Sequence, residues 1–560
     1  MSITVQETTG IRRIGVLGEL TDPVCHRDLL NALAQRDERK VEITFYDART
    51  LPGDVLETLL DLSASSVPLK IVTYHNYLLY HLMRMGLPAL GELAGGTLPV
   101  VSEVTAVVLG GSADSLDKIL AIIEVLPASK AVVFIVQHIL ENEPSRLDNL
   151  LQVRTDYRVE LPQHLTAVVP GTIYIAPPGH HMKVAHGMVY LTRDKKINYA
   201  RPSIEVLFTS VAREYRQSSL GVLLCGYGND GVAGLKSIKD QGGLVLVENS
   251  DDCGARNLTD AGIASGAFDH VLSLPELRCF VASAVAGRSQ NFSQPLIDLL
   301  LEAVFSRYGY DYRNYQPGTV QRRLNKLLNQ KGWPDFFTLQ REILTDPDAF
   351  EQMFLELSIN VTAFFRHPEQ FRVLREKVLP YLDSFSSIKI WSAGCANGEE
   401  AYSLAILLDE LGMLDKTQIF ATDINPYQLE EAKNGLYPLE HFDEGQRNYR
   451  VSGGQRCLED WLTVGKGYLK MGPRLPKHLV FYQHSLEHDG SFNEFQLIVC
   501  RNVLIYFHPE LQQRVMELFY SSLHRDGFLV LGPSEGIVAG EGERFFIPYA
   551  KHEKIYRRNG

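Results

Sequence analysis

A serine in a tight glycine turn, a histidine ending an apolar run and an aspartate in a glycine-rich loop are the parts of an activated nucleophile, its base and its orienting acid. Residues 107–119, "VVLGGSADSLDKI", set Ser112 between a strand and a helix start, an arrangement that exposes a serine hydroxyl. "FIVQH" puts His138 at the end of the next long strand, and "LLCGYGNDG" puts Asp230 at the end of a later one. Singly, each is most simply a structural residue. The carboxyl ends of parallel strands open onto one crevice, however, so the three together point to a triad. A second set begins at "IKIWSAGCANGEEAYSLA", which reads as strand, glycine loop with Gly394 and Gly398, then helix. The loop is not GxGxxG, which disfavours a dinucleotide pyrophosphate. "IFATDI" ends a strand with Asp423, an acid placed to accept from ribose hydroxyls, although a helix cap would use the same residue. Together with the strand exit "LIVCRNVLIYF", these features suggest S-adenosylmethionine as cofactor.

The elements that must position these groups recur along the chain. "IRRIGVLGEL", "VEITFYDART" and "LKIVTYHN" alternate with helical stretches and predict a small α/β module over 1–105. A second strand series, from "AVVLGG" through "AVVFIVQH", "TIYIAPPG" and "GVLLCGYG" to "GGLVLVEN", predicts a doubly wound domain over 106–286. An all-helical segment over 287–361 follows, in which "TVQRRLNKLLNQKG" puts Val320, Leu324, Leu327 and Leu328 on one face and stops at Gly332. A third strand series fills 362–560 and reads as a Rossmann-like domain. The fold class is therefore α/β multidomain. A chain of 560 residues is too long for one core. Its net charge of -12 disfavours nucleic acid, since phosphate binding needs concentrated Lys and Arg. Apolar runs are strand-sized rather than membrane-spanning, and the start lacks a signal-peptide core, so no membrane insertion is expected. Seven cysteines without a CxxC pair point to a reducing cytoplasm and to no metal site.

Over roughly 105–285, "QHI", "IYIAPPGHHMKV", "RPSIEVLF" and "CGYGNDGVAGLKSIKDQGG" resemble the chemotaxis protein-glutamate methylesterase family. The resemblance implies Ser112 as nucleophile, His138 as base and Asp230 as orienting acid, acting on glutamyl methyl esters and certain glutamines of chemoreceptors. Two departures stand out. The turn continues with Ala113, Asp114 and Ser115 where the family has a small residue and two glycines, and a carboxylate there opposes a developing oxyanion. The methionine-proline usual before the last helix is missing around "GARNLTDAGIASG".

Residues 295–560 resemble the chemotaxis receptor glutamate methyltransferase family through "INVTAFFRHPEQF", "WSAGCANGEEAYSLA", "FATDINPYQLEEAKNGLY", "CRNVLIYF" and "GPSEG". The match implies that Asn360, Thr362 and Arg366 line the cofactor and substrate side, and that Glu400 and Asp423 hold the nucleoside. It further implies that Leu486, Arg501 and Asn502 close the pocket and that Tyr506 stands beside the methyl group. Ser485 replaces the family's common asparagine, which predicts a weakened contact. Transfer to a carboxylate already ionised at neutral pH needs alignment rather than a strong base, a task suited to the planar fork of Arg366 and the hydroxyl of Tyr506.

The implied function is a cytoplasmic receptor methyltransferase fused to a methylesterase, with helical cytoplasmic regions of chemoreceptors as partners. Arg322, Arg323, Lys326 and Lys331 form a basic helix surface, either a solvated face or a dock for carboxylate-bearing receptor helices. The first module lacks the acids of a phosphorylatable receiver: "IGVLGEL" leads to Thr21 and the third run ends "TYHN". Alternatives are a scaffold with degenerate enzyme domains, or a methyltransferase of another substrate.

Overall fold

The computed structural model describes residues 2–8, 11–17, 20, 23–34, 40–46, 48–65, 67–73, 76–91, 103–138, 147–287, 292–358, 362–537 and 544–560. The chain divides into two compact units: residues 1–96 with 314–319 and 354–560, and residues 97–313 with 320–353.

In the second unit, seven parallel strands order as His270–Leu272, Leu244–Glu248, Ser219–Leu223, Ala106–Gly111, Val132–Gln137, Thr172–Ile175 and Arg158–Glu160. Ala106–Gly111 is buried at all six positions, as expected of a central strand covered on both faces. Chain order reverses beside it. Val132–Gln137, next in sequence, pairs on one side, and the later Ser219–Leu223 on the other. Side chains at these carboxyl ends face a topological switch point, where α/β sheets place ligands. The helices Leu274–Val285 and Gln294–Tyr308 are joined by Arg278–Glu302 and Arg307–Glu276 ion pairs, each 2.8 Å. The helix Pro317–Lys331 buries Val320, Leu324, Leu327 and Leu328. Gly332 follows it at φ +64°, a left-handed conformation that favours glycine.

In the first unit, the transferase sheet orders as Leu479–Gln483, Thr417–Asp423, Ile388–Ala393, Phe495–Cys500, Leu523–Leu531, Ile555–Arg558 and Phe546–Ala550. The first five strands are parallel and the last two antiparallel, a hairpin that the apolar-run reading left unassigned. The switch point lies between Ile388–Ala393 and Phe495–Cys500.

The described residues between Ser2 and Gly91 include a five-stranded sheet in sequence order, beginning with Ser2–Thr8 antiparallel to Ile11–Leu17. That first strand is too polar to stand out as an apolar run. The sheet's apolar core takes in Leu436 and Tyr468 of the three-stranded sheet in the transferase half. Around this patch Glu57 pairs with Lys470 and accepts from Tyr468 Oη at 3.1 Å. Glu431 meets His81 at 2.8 Å and Arg84 at 3.2 Å, and Asn434 donates to the Leu51 carbonyl at 3.1 Å. Among the described residues no helix is long and apolar enough to cross a membrane.

Candidate active sites

At the esterase-type crevice, backbone register does the assembling. Ser112 N donates to the Cys225 carbonyl at 3.0 Å and His138 N to the Gly111 carbonyl at 3.2 Å, which holds three strand ends side by side. Gly226 stands against Ser112, where a Cβ would lie 2.4 Å from the Ser112 Cβ, so no larger residue fits. His138 Nε2 meets Asp230 Oδ2 at 2.9 Å. Asp230 is buried at the amino end of the helix Ile204–Tyr215, accepting from Ile204 N at 2.7 Å and from Ser203 Oγ at 2.8 Å. Burial alone would raise its pKa. The bonds from His138, Ile204 and Ser203 outweigh burial and hold the carboxyl below the usual aspartate value.

The serine side of the crevice is built differently. Among the described residues no hydrogen bond joins Ser112 Oγ to His138, while Ser115 Oγ donates to the Ser112 carbonyl at 2.7 Å. Asp114 adopts φ +65°, a conformation glycine takes without strain, and Ser115 is fully buried. The segment lacking methionine-proline still closes over the turn, since Gly226 N donates to the Ala255 carbonyl at 2.8 Å and Leu258 N to the Gly226 carbonyl at 2.9 Å.

The second site is a cleft of about 1090 Å³, its open mouth included. Thr362, Arg366, Gly394, Glu400, Asp423, Leu486, Arg501, Asn502 and Tyr506 all line it, and Asn360 lies outside the described residues. Gly394, at φ +73°, lets the loop approach Val503, whose Cγ2 would lie 2.4 Å from an added Cβ. Asp423 ends its strand and accepts from Ala396 N and Asn425 N, both at 2.9 Å. Glu400 accepts from Ser392 Oγ at 2.9 Å and pairs with Arg501 at 3.1 Å. Arg501 is buried, donates to Gln370 Oε1 at 2.8 Å and to the Arg366 carbonyl, and lies 5.2 Å over the Phe371 ring. Arg366 is flanked by Phe365 at φ +52° and His367 at φ +57°. Such backbone costs energy and collects at functional sites.

Both crevices lie in segments similar to known proteins. Family models match residues 360–551 (CheR methyltransferase, SAM binding domain), 295–358 (CheR methyltransferase, all-alpha domain) and 107–281 (CheB methylesterase). The "Putative methyltransferase Cher3" of Pseudomonas putida is 43% identical over 263 residues, covering 47% of this chain and 96% of its own. The chemotaxis protein methyltransferase of Listeria innocua is 33% identical over 232 residues, covering 41% of this chain and 86% of its own. The chain belongs to the chemotaxis protein methyltransferase family. It carries a CheB methylesterase domain in the same polypeptide. An uncharacterized 104.1 kDa protein of Rhodobacter capsulatus is 27% identical over 439 residues, covering 71% of this chain and 44% of its own.

The methyltransferase cleft fits S-adenosylmethionine on the chemistry of its donors and acceptors. Burial pushes the Asp423 carboxyl above the ordinary aspartate value despite its bonds from backbone N–H groups. A carboxylate has more acceptor sites than these two backbone bonds fill, which suits a hydroxyl-bearing nucleoside. Burial raises Glu400 likewise, against the pull of Arg501. Apolar Ile424 and Leu486 offer a face for a base.

Sequence reasoning missed several lining residues. Tyr315 precedes the helix Pro317–Lys331 and packs edge-on to Phe507 at 5.3 Å. Its neighbours Asn314 and Gln316 bond the chain at Tyr506–His508: Gln316 N donates to the Tyr506 carbonyl at 2.8 Å and His508 N to the Asn314 carbonyl at 2.7 Å. Nothing in "RNYQPG" signals a partner almost two hundred residues away. Ser203, by contrast, lies in the quoted "RPSIEVLF", where serine before an apolar helical run was a legible cap.

Proposed function

We propose that this methyltransferase transfers methyl groups to glutamate carboxylates on chemoreceptors, and that its methylesterase domain acts on the resulting esters. The observation that carries the reading is the pairing, in one cleft, of an acceptor-rich floor at Asp423 and Glu400 with a rim bearing Arg366 and Tyr506. Bound S-adenosylmethionine would supply an electrophilic methyl group on its sulfonium. Asp423 and Glu400 hold the nucleoside end through hydrogen bonds. Arg366 presents a planar donor fork to the substrate carboxylate, and Tyr506 steadies the reacting oxygen, so that alignment supplies the rate. Thr362 and Asn502 border the same space. Leu486 covers it, and Ser485 beside it offers one hydroxyl in place of an amide.

The receptor side is a carboxylate-bearing helix. Arg322 and Lys326 are exposed on the helix Pro317–Lys331, whereas Arg323 and Lys331 are half-buried, so the basic face available to such a helix is narrower than the four cations expected. In the methylesterase domain, Ser112 attacks the ester, His138 takes its proton and Asp230 orients the imidazole. The His138–Asp230 half supports this role as it stands, and the Asp114 turn is the part that limits it.

Titration calorimetry with S-adenosylmethionine, followed by transfer of its labelled methyl to fragments of receptor cytoplasmic helices, tests the first activity. Binding without base-labile label on glutamate would reject it in favour of a scaffold or another substrate. Methanol release from premethylated fragments tests the second.

A further inference from the structure

We propose that Glu535 is a positioning residue of the transferase site, whose carboxylate fixes the turn carrying Asn502 and Tyr506; the inference rests on the transferase reading above. The strand Phe495–Cys500 ends at the cleft, and the chain then bends through Asn502 at φ +61° into a tight turn over Leu504–Tyr506. A bend of this kind makes successive N–H groups converge and leaves them without backbone acceptors, the usual makings of an anion site. Here the chain's own acid fills it. Glu535 Oε1 accepts from Val503 N and Leu504 N at 2.8 Å and from Ile505 N at 3.3 Å. Its Oε2 accepts from Asn502 N at 3.0 Å and Gly532 N at 2.5 Å. Glu535 is buried, 6% exposed, so water cannot substitute for it.

The turn so held sets the positions of three groups at the cleft. Val503 packs under Gly394 at the point where a Cβ would collide. Asn502 and Tyr506 line the cleft directly. Glu535 itself is not among the lining residues, so its part is indirect. A neutral glutamine keeps the length but offers one acceptor oxygen and brings two further donors into a cluster of donors. The turn must then relax, and displacement of aligned groups by about an ångström costs roughly a hundredfold in rate.

The test compares wild type with Glu535→Gln in the full chain, using S-adenosylhomocysteine as the probe. Calorimetry gives its dissociation constant and the fraction of binding-competent protein, and methyl transfer to a receptor fragment gives kcat per competent site. The expected result is a dissociation constant raised at least about tenfold and kcat per site lowered at least about tenfold, with KM for the fragment within about twofold. A purely structural role would reduce the competent fraction and leave the constants of that fraction at wild-type values, which overturns the proposal. Gly532→Ala provides a second variant, because its Cβ would lie 2.6 Å from Glu535 Oε2 and 2.8 Å from Asn502 N while the charge is kept. The same kinetic pattern is expected, and if the glutamine variant does not fold, wild-type constants in Gly532→Ala overturn the proposal alone. Wild type that binds the probe yet methylates no receptor fragment removes the assigned substrate, while the change in dissociation constant still decides the role of Glu535.

Discussion

At the methyltransferase cleft, Ile388–Ala393 and Phe495–Cys500 end beside a glycine loop whose close approach to Val503 requires Gly394. At the methylesterase crevice, Ala106–Gly111 and Ser219–Leu223 end beside a loop whose close approach to Ser112 requires Gly226. The two sheets therefore use the same device at a switch point, a glycine that lets one loop pack against the neighbouring strand exit. They differ in what surrounds it. Around the cleft several candidate groups are tied across turns: Arg501 to Glu400 and Gln370, the Asn502–Ile505 backbone to Glu535, Asp423 to Ala396. In the crevice the base is tied to the acid and the Ser112 backbone to the Cys225 carbonyl, but the turn after the serine carries Asp114 and Ser115, with Asp114 at φ +65°. A switch-point crevice can thus keep its register, which backbone pairing sets, while its nucleophile turn drifts.

The largest effect is expected where alignment alone makes rate. Arg366→Lys keeps the charge and loses the planar fork, so methyl transfer should fall at least about a hundredfold while S-adenosylhomocysteine binding and the melting temperature hold. Radiolabel transfer to receptor fragments checks this, and undiminished transfer would put the arginine outside the chemistry.

Next in size is the nucleoside contact. Asp423→Ala removes a charged acceptor and should weaken the cofactor by roughly 1.5–3 kcal/mol, read by calorimetry. The pH dependence has a definite sign. Because burial raises the Asp423 pKa, the carboxylate protonates on acidification before an ordinary aspartate would, and cofactor affinity falls as pH drops through that raised value. The alanine variant should lose this acid limb. Asp230, held low, should contribute no such early limb of its own to methylesterase titration.

The parts of this contrast that were legible in the sequence are local ones. Apolar runs marked the central strands, the 3.6-residue period put Val320, Leu324, Leu327 and Leu328 on one buried face, and Ser112 and His138 stood at strand ends, whereas Asp230, expected at one, lies in the loop beyond Leu223. What could not be read depends on pairings across long stretches of chain. The two antiparallel strands at the transferase edge, the packing of residues 1–96 through Glu57 and Glu431, and the grip of Asn314 and Gln316 on the turn after Tyr506 all join segments with no shared local pattern. Glu535 is an instructive case. "GPSEG" was visible as a motif, but a buried carboxylate that takes five N–H donors has no signature apart from the turn it serves.

Smaller effects should come from the methylesterase half, on stability first. Asp230→Ala strands Ile204 N and Ser203 Oγ, which amounts to about 2 kcal/mol of local stability. A carboxylate with a depressed folded pKa contributes fully above its unfolded value, and the contribution is lost as pH falls through the folded value. Hydrogen exchange over Ile204–Tyr215 in the full chain should therefore separate wild type from variant at neutral pH and converge in strong acid.

The smallest structural effect belongs to Asp114→Gly. Aspartate at φ +65° carries some left-handed strain, which glycine removes. Glycine also enlarges the unfolded ensemble, an opposing cost of roughly 0.5–1 kcal/mol. The two nearly cancel, so unfolding should shift by no more than about 0.5 kcal/mol. That neutrality makes the variant a clean probe of chemistry, because a gain in methanol release cannot then be laid to folding. One like charge near a developing oxyanion, at the effective dielectric of a half-open site, amounts to about 1–2 kcal/mol, or roughly a tenfold gain on its removal. A tenfold rise that vanishes in Asp114→Gly/His138→Ala would mean the serine turn alone restrains an otherwise assembled hydrolase. Unchanged release would instead place the restraint outside the Asp114 charge, and the crevice would then differ from the cleft in more than the composition of its turn.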